Sequence, residues 1–175
     1  EPIRIGVSGP FTGGSNPMGI AMRDGIRLAA REINEAGGVL GRKLELTALD
    51  DQSDPNAALC LARQLVEQNG VLAIIGPTRT DSGLAVKKYT EEKGVPTIMT
   101  VGGDPIIAGG KFGPYHWTFQ VPQRSSTAVE KIYAYLKAKG LTRIAILTAK
   151  DGFGQDGKTH LAAMAARYDI DLVAE

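Results

Sequence analysis

A regular exchange between two hydrophobic periods restricts this chain more than any other feature. The runs Ile3-Arg4-Ile5-Gly6-Val7, Lys43 to Leu49, Val71 to Ile75, Pro96 to Thr100, Tyr115 to Val121 and Arg143 to Thr148 read as strands. Between them apolar residues recur at helical spacing. Met22, Ile26, Ala29, Ala30 and Ile33 mark a helix from Met18 to Ala36, which Gly37-Gly38 ends. A turn at Asp50-Asp51-Gln52-Ser53-Asp54-Pro55 leads into a helix up to Asn69, and a further helix runs from about Asp81 to Lys93. Val129, Ile132, Tyr133 and Leu136 mark another, with Thr127 and Glu130 spaced as a capping box. Gly154 to Tyr168 reads as the last helix, and Asp171 to Ala174 opens one more strand. Strands apolar on both faces, alternating with helices, require a parallel sheet covered on both sides, so the expected fold class is doubly wound α/β.

Composition removes several function classes. Twenty basic and nineteen acidic side chains leave a net charge of +1 in 175 residues, with the signs interspersed, so no nucleic-acid or membrane surface is announced. No apolar run approaches the roughly 20 residues of a bilayer span. One cysteine, Cys60, cannot form an internal disulfide, and its apolar helical setting predicts a small buried hydrophobe. The two histidines, His116 and His160, lie far apart in sequence, and no Cys/His/Asp spacing resembles a metal site. No Walker A pattern, no Gly-x-Ser-x-Gly, no Ser-x-x-Lys and no His-Glu-x-x-His occurs, which leaves no catalytic residue to name. No cofactor is expected.

In a doubly wound sheet, ligands bind beyond the carboxyl ends of the strands. Here those positions are Gly9–Pro17, Asp50–Pro55, Gly76–Ser82, Val101–Gly110 and Ala149–Asp156, the fourth belonging to a Gly-rich loop that runs to Pro114. Gly76-Pro77-Thr78-Arg79-Thr80-Asp81-Ser82-Gly83 joins a buried strand to a helix. Free N–H groups at the helix start and the hydroxyls of Thr78, Thr80 and Ser82 then converge on a site suited to a carboxylate or phosphate. Plain N-capping by Thr80, Asp81 or Ser82 accounts for the same residues. Gly152-Phe153-Gly154-Gln155-Asp156-Gly157 is a literal G-x-G-x-x-G, with Glu175 as the distal acidic residue of a dinucleotide fingerprint. Against it, Ala149-Lys150-Asp151 delay the turn, and Asp151 and Asp156 would face a pyrophosphate of like charge. A Rossmann-type dinucleotide enzyme is therefore the alternative reading.

The order of these pieces resembles the leucine/isoleucine/valine-type solute-binding proteins of ABC importers, within the type I periplasmic binding protein class. The resemblance is carried by Ile3–Pro10 with Phe11-Thr12-Gly13, Asp24-Gly25 with Ala29, and Glu32-Ile33-Asn34 to Gly37-Gly38. Gly41-Arg42-Lys43-Leu44, Asp50 to Pro55, Ile75-Gly76-Pro77, Gly94-Val95-Pro96, Phe119 with Ser125-Ser126, and Phe153-Gly154 continue it in the same order. The chain enters a strand directly after Glu1-Pro2, as it would once a leader had been removed.

The resemblance implies a periplasmic, or extracellular and membrane-tethered, receptor, not an enzyme, that closes two lobes on an amino acid or related small carboxylate and delivers it to a membrane permease. A sensory ectodomain of the same fold is a further alternative. It also implies that residues 1–121 are most of lobe one, and that 122–175 are the crossing and the first β-α-β of an incomplete second lobe. On the same pattern Thr80, with Thr78 and Arg79 beside it, holds the ligand carboxylate. The loop Val101, Gly102 and Gly103 holds its head group, Gly103 lacking the usual hydroxyl. Met18 is an apolar wall and Phe153 the covering aromatic. Arg124 stands where amino-acid binders tend to be acidic, which implies a ligand without an ammonium group. If Arg124 instead points to solvent or caps the helix at Ser125, an ordinary apolar amino acid is implied.

Overall fold

The structure, a computed structural model, describes residues 1–107 and 115–174. The stretch 108–114 of the Gly-rich loop, and Glu175, lie outside the described residues. The first sheet contains β1 (Ile3–Gly9), β2 (Leu44–Asp50), β3 (Ala73–Ile75), β4 (Thr97–Met99) and β5 (Thr118–Gln120), all parallel, in the order β2-β1-β3-β4-β5. Leu46, Ile74, Ile98 and Phe119 therefore share one sheet, as the doubly wound reading requires. A second, two-stranded parallel sheet pairs β6 (Arg143–Ala145) with β7 (Asp171–Ala174).

Side-chain alternation explains how helices cover the first sheet. Ile5 faces the apolar seam formed with Met22, Ile26 and Ala29 of α1 (Asn16–Glu35). The next residue, Gly6, faces the other way, toward Leu65 of α2 (Pro55–Glu67). A side chain at Gly6 would meet Leu65 at 2.9 Å, so glycine is what lets α2 sit close to β1. On that face α2 and α3 (Thr80–Lys93) pack together over Leu65, Ile74, Val86, Met99, Val101 and Ile106. A smaller cluster around Val129, Tyr133, Ala165 and Ile170 joins α4 (Ser125–Ala138) and α5 (Gly152–Ala165) to the second sheet. There Tyr133 is fully buried and donates its hydroxyl to the Leu161 carbonyl at 2.9 Å.

Three sequence expectations are corrected. Cys60 is exposed, because it lies two residues from both Ala58 and Ala62, about 200° of helical rotation away from the buried stripe of α2. The helix placed by Thr127 and Glu130 begins two residues earlier, at Ser125, and its cap position is Arg124, with no side-chain capping bond. Thr80, Asp81 and Ser82 do not cap α3 either, since its cap position is Arg79, in extended backbone. No helix among the described residues is long and apolar enough to cross a membrane.

Candidate functional site

Strand order reverses between β1 and β3, and a crevice opens above the carboxyl ends at that point. Gly76 makes the turn out of β3 with φ 109, and a Cβ there would lie 1.9 Å from the Ser8 carbonyl oxygen. The chain then passes Thr78 and Arg79 and enters α3 at Thr80. The crevice is a cavity of about 390 Å³, within the ~300–1,000 Å³ of small-molecule sites.

Each strand end contributes to its wall: Ser15 and Met18 after β1, Thr78, Arg79 and Thr80 after β3, and Thr100 and Gly102 after β4. Pro122, Gln123, Arg124, Ser125 and Ala128 follow β5, and Asp151 and Phe153 follow β6. Thr78 and Thr80 are 4% and 3% exposed, while Met18 and Phe153 expose 56% and 54% of their surface. The polar floor is thus deep and the apolar lips are wet.

The electrostatics favour an anion. Thr78 Oγ1 and Arg79 Nε are buried without a hydrogen-bond partner, and unsatisfied buried polar groups cost about 1–3 kcal/mol each until a ligand meets them. Arg79 donates from Nη1 to Ser15 Oγ at 3.1 Å and from Nη2 to Asp151 Oδ2 at 3.4 Å, with Asp81 at 4.0 Å. Asp151 is therefore already engaged, its Oδ1 accepting the Gly154 N–H at 2.9 Å. Arg124 is exposed on the wall and has no side-chain ion pair or hydrogen bond among the described residues.

Met18, Thr78, Arg79, Thr80, Gly102, Arg124 and Phe153 meet at this cavity; Val101 and Gly103 do not line it. Val101 is 2% exposed and packs beside Met99 in the core. The strand alternation of β4 carries on past its end, sending Val101 inward and leaving Thr100 and Gly102 on the wall. Gly103 is pressed against Thr80, where a Cβ would come within 2.6 Å of Thr80 Cγ2. The loop carbonyls are also in use: Gln120 Nε2 donates to Val101 O and Gly103 O, at 2.6 and 3.3 Å. Ser125 donates from N and Oγ to Gly102 O, at 2.9 and 3.0 Å. Ser82 is fully buried and off the wall, so its hydroxyl does not converge with those of Thr78 and Thr80.

Two of the five strand-end segments behave differently from a ligand loop. Asp50 serves the β1 loop, its carboxylate accepting from Phe11 N at 2.8 Å and Thr12 Oγ1 at 2.6 Å. Burial works to raise the Asp50 pKa, but these bonds and those from the Gln52 and Thr12 N–H groups hold it below the usual carboxylate range. The G-x-G-x-x-G stretch is not a loop but the first turns of α5. Its leading N–H groups are taken by carboxylates: Gly152 donates to Asp81 and Gly154 to Asp151. A pyrophosphate would have to displace both, so the dinucleotide reading fails, and Glu175 lies outside the described residues.

Sequence reasoning missed Ser15, Thr100, Pro122, Gln123, Ser125, Ala128 and Asp151. The strand-end segments already held Ser15 and Asp151, whereas Pro122, Gln123 and Ser125 follow the end of β5, which those segments left out. Ala128 needed the helix register of α4, which starts earlier than its apolar pattern indicated.

The periplasmic binding protein family model matches residues 2–175. The chain is 32% identical over 154 residues to the "Amino acid binding protein" of Pseudomonas aeruginosa, covering 87% of this chain and 40% of that protein. It is 27% identical over 154 residues to a Leu/Ile/Val-binding protein of Rhizobium johnstonii, covering 87% of this chain and 41% of that one. It superposes with a TM-score of 0.91, at 27% identity, on a periplasmic binding protein type 1 from Bordetella pertussis Tohama I, covering 99% of this chain and 48% of that one. The chain thus spans about 40% of the length of these curated relatives and about half of that solved structure.

Proposed function

Because this chain belongs to the periplasmic binding protein family, we propose that it grips the ligand of a solute receptor serving an ABC importer. The family is one of binding receptors, not enzymes. The receptor works in the periplasm and hands its ligand to a membrane permease. Residues 1–121 belong to one lobe, and residues 122–175 form the crossing and the opening β-α-β of the other.

Arg124 is exposed and stands at the cap position of α4, but it makes no capping bond and lines the cavity wall, so the ligand is a small carboxylate without an ammonium group. The single observation that carries this reading is the cavity wall, which bears two arginines against one aspartate already committed to Arg79 and Gly154. Thr78, Arg79 and Thr80 hold the carboxylate, and Met18 and Phe153 cover its apolar part. An ammonium near Arg124 would be repelled by about 4 kcal/mol at ~4 Å and an effective dielectric near 20, before screening. Solvent at this exposed side chain leaves about a tenfold discrimination. The Gly102 and Gly103 carbonyls, already accepting from Ser125 and Gln120, add little for an ammonium.

Calorimetric titration with leucine and with its 2-keto analogue tests this reading. The keto acid is expected to bind about tenfold more tightly, and Arg124→Gln to erase the preference. Tighter leucine binding by the parent protein would overturn the ammonium-free reading. Failure of both ligands and of other small carboxylates would overturn the carboxylate reading itself.

A further inference from the structure

Outside the cavity, Asp104, Asp156 and His160 come together from two distant segments. Asp104 opens the 3₁₀ turn Asp104–Ile106 after β4, while Asp156 and His160 lie one turn apart on the same face of α5. Their ligand-type atoms all fall within 4.8 Å of one another. Nε2 of His160 is 3.3 Å from Asp156 Oδ1 and 3.5 Å from Asp104 Oδ2. An N–H···O bond is normally 2.7–3.2 Å long, so the imidazole makes neither. A separation of about 3.4 Å is instead the edge of a tetrahedron around an ion with bonds of about 2.0–2.1 Å.

We infer that these three side chains form a binding site for a divalent first-row transition cation. Three further observations support it. Both aspartates are buried, at 6% and 9% exposure, and no lysine or arginine among the described residues pairs with either. Buried carboxylates need a compensating cation, and the His160 imidazole lies within 4 Å of both. Oδ1 of Asp156, on a side chain 7% exposed, points into the cluster, 3.3 Å from His160 Nε2.

Both carboxylates are also held by neighbouring donors, as ligands are held in metal sites. Asp104 Oδ1 accepts the Ser126 N–H at 3.1 Å and Oδ2 the Ser126 hydroxyl at 2.6 Å, while Asp156 Oδ2 accepts the Asp104 N–H at 3.0 Å. One imidazole and two carboxylates suit Zn²⁺ better than Mg²⁺ or Ca²⁺, which take oxygen alone. The imidazole is partly exposed, which leaves a side of the ion open to water. An ion here ties the turn after β4 to the second turn of α5, and so fixes the helix that carries Phe153.

Chelator-stripped protein titrated with Zn²⁺ against a chromophoric competitor tests the site, with the thermal midpoint read in parallel. One equivalent is expected to bind and to raise the midpoint. His160→Gln and Asp156→Asn should each weaken binding at least tenfold, and His116→Gln should leave it unchanged. Circular dichroism of each variant separates loss of the site from loss of the fold. If the parent binds no Zn²⁺, or a folded His160→Gln variant binds as the parent does, the inference is overturned.

Discussion

The Gly152 N–H donates to both carboxylate oxygens of Asp81 at 3.0 Å, so the first turns of α3 and α5 meet through a single acidic side chain. A Cβ at position 152 would lie 2.4 Å from Asp81 Oδ1, which shows how closely they meet. Asp81→Ala leaves a half-buried N–H unmet and frees Arg79 from one of its two carboxylates. A stability loss of roughly 1–3 kcal/mol is expected from urea denaturation. An unchanged midpoint would mean that α5 is held by other contacts.

Thr80→Val removes one hydroxyl and keeps the shape that presses on Gly103. Ligand affinity should fall by roughly one to two orders of magnitude, the worth of one hydrogen bond to a charged group. The melting temperature should barely move. Equal affinity in the two proteins would place the carboxylate elsewhere on the wall.

Gly103→Ser would supply the hydroxyl that the family resemblance implies at this position. Its backbone, at φ -67 and ψ 126, accepts any residue, but its Cβ would meet Thr80 Cγ2 at 2.6 Å. The variant should therefore bind less tightly than the parent, as Thr80 is pushed aside. Tighter binding, read by the same titration, would show that Thr80 yields without loss.

Glu91, at the end of α3, organises the entry to β5. It accepts from His116 N at 3.0 Å, Trp117 N at 2.9 Å and Thr118 Oγ1 at 2.7 Å. Burial pushes its pKa up, but these bonds, led by that from the His116 N–H, outweigh burial and hold it below the ordinary 4.5. A depressed carboxylate stabilises the fold fully above its unfolded value, and that contribution is lost as pH falls through the folded value. The parent should thus lose stability on acidification below about pH 4.5, and Glu91→Gln should show a shallower acid limb. At neutral pH the variant should be weaker by about 1–2 kcal/mol. Parallel acid limbs would remove Glu91 from the account.

The sheet was legible because short, wholly apolar runs such as Val71 to Ile75, closed by Gly76-Pro77, recur between helical stretches and suit strands buried on both faces. Helix starts were less so, since Arg79 and Arg124 occupy cap positions through backbone geometry alone and leave no side-chain signal. Within the site, Thr78, Arg79 and Thr80 follow from a strand end meeting a helix start. Val101 was misplaced because a loop was read where strand alternation still ruled, and the same alternation would have picked Thr100. The neighbourhood of Asp104, Asp156 and His160 depends on how α5 docks beside the turn after β4, which no local pattern encodes.

The wet lips of the crevice have a calorimetric consequence. A ligand seated between Met18 and Phe153 withdraws from water two side chains that now expose about half their surface. Each square ångström of apolar surface so withdrawn lowers the heat capacity by about 0.45 cal/K/mol. The binding enthalpy should then become steadily more favourable on warming. A ligand held only by Thr78, Arg79 and Thr80 of the floor would give an enthalpy nearly flat with temperature, so that slope measures how far the lips shut.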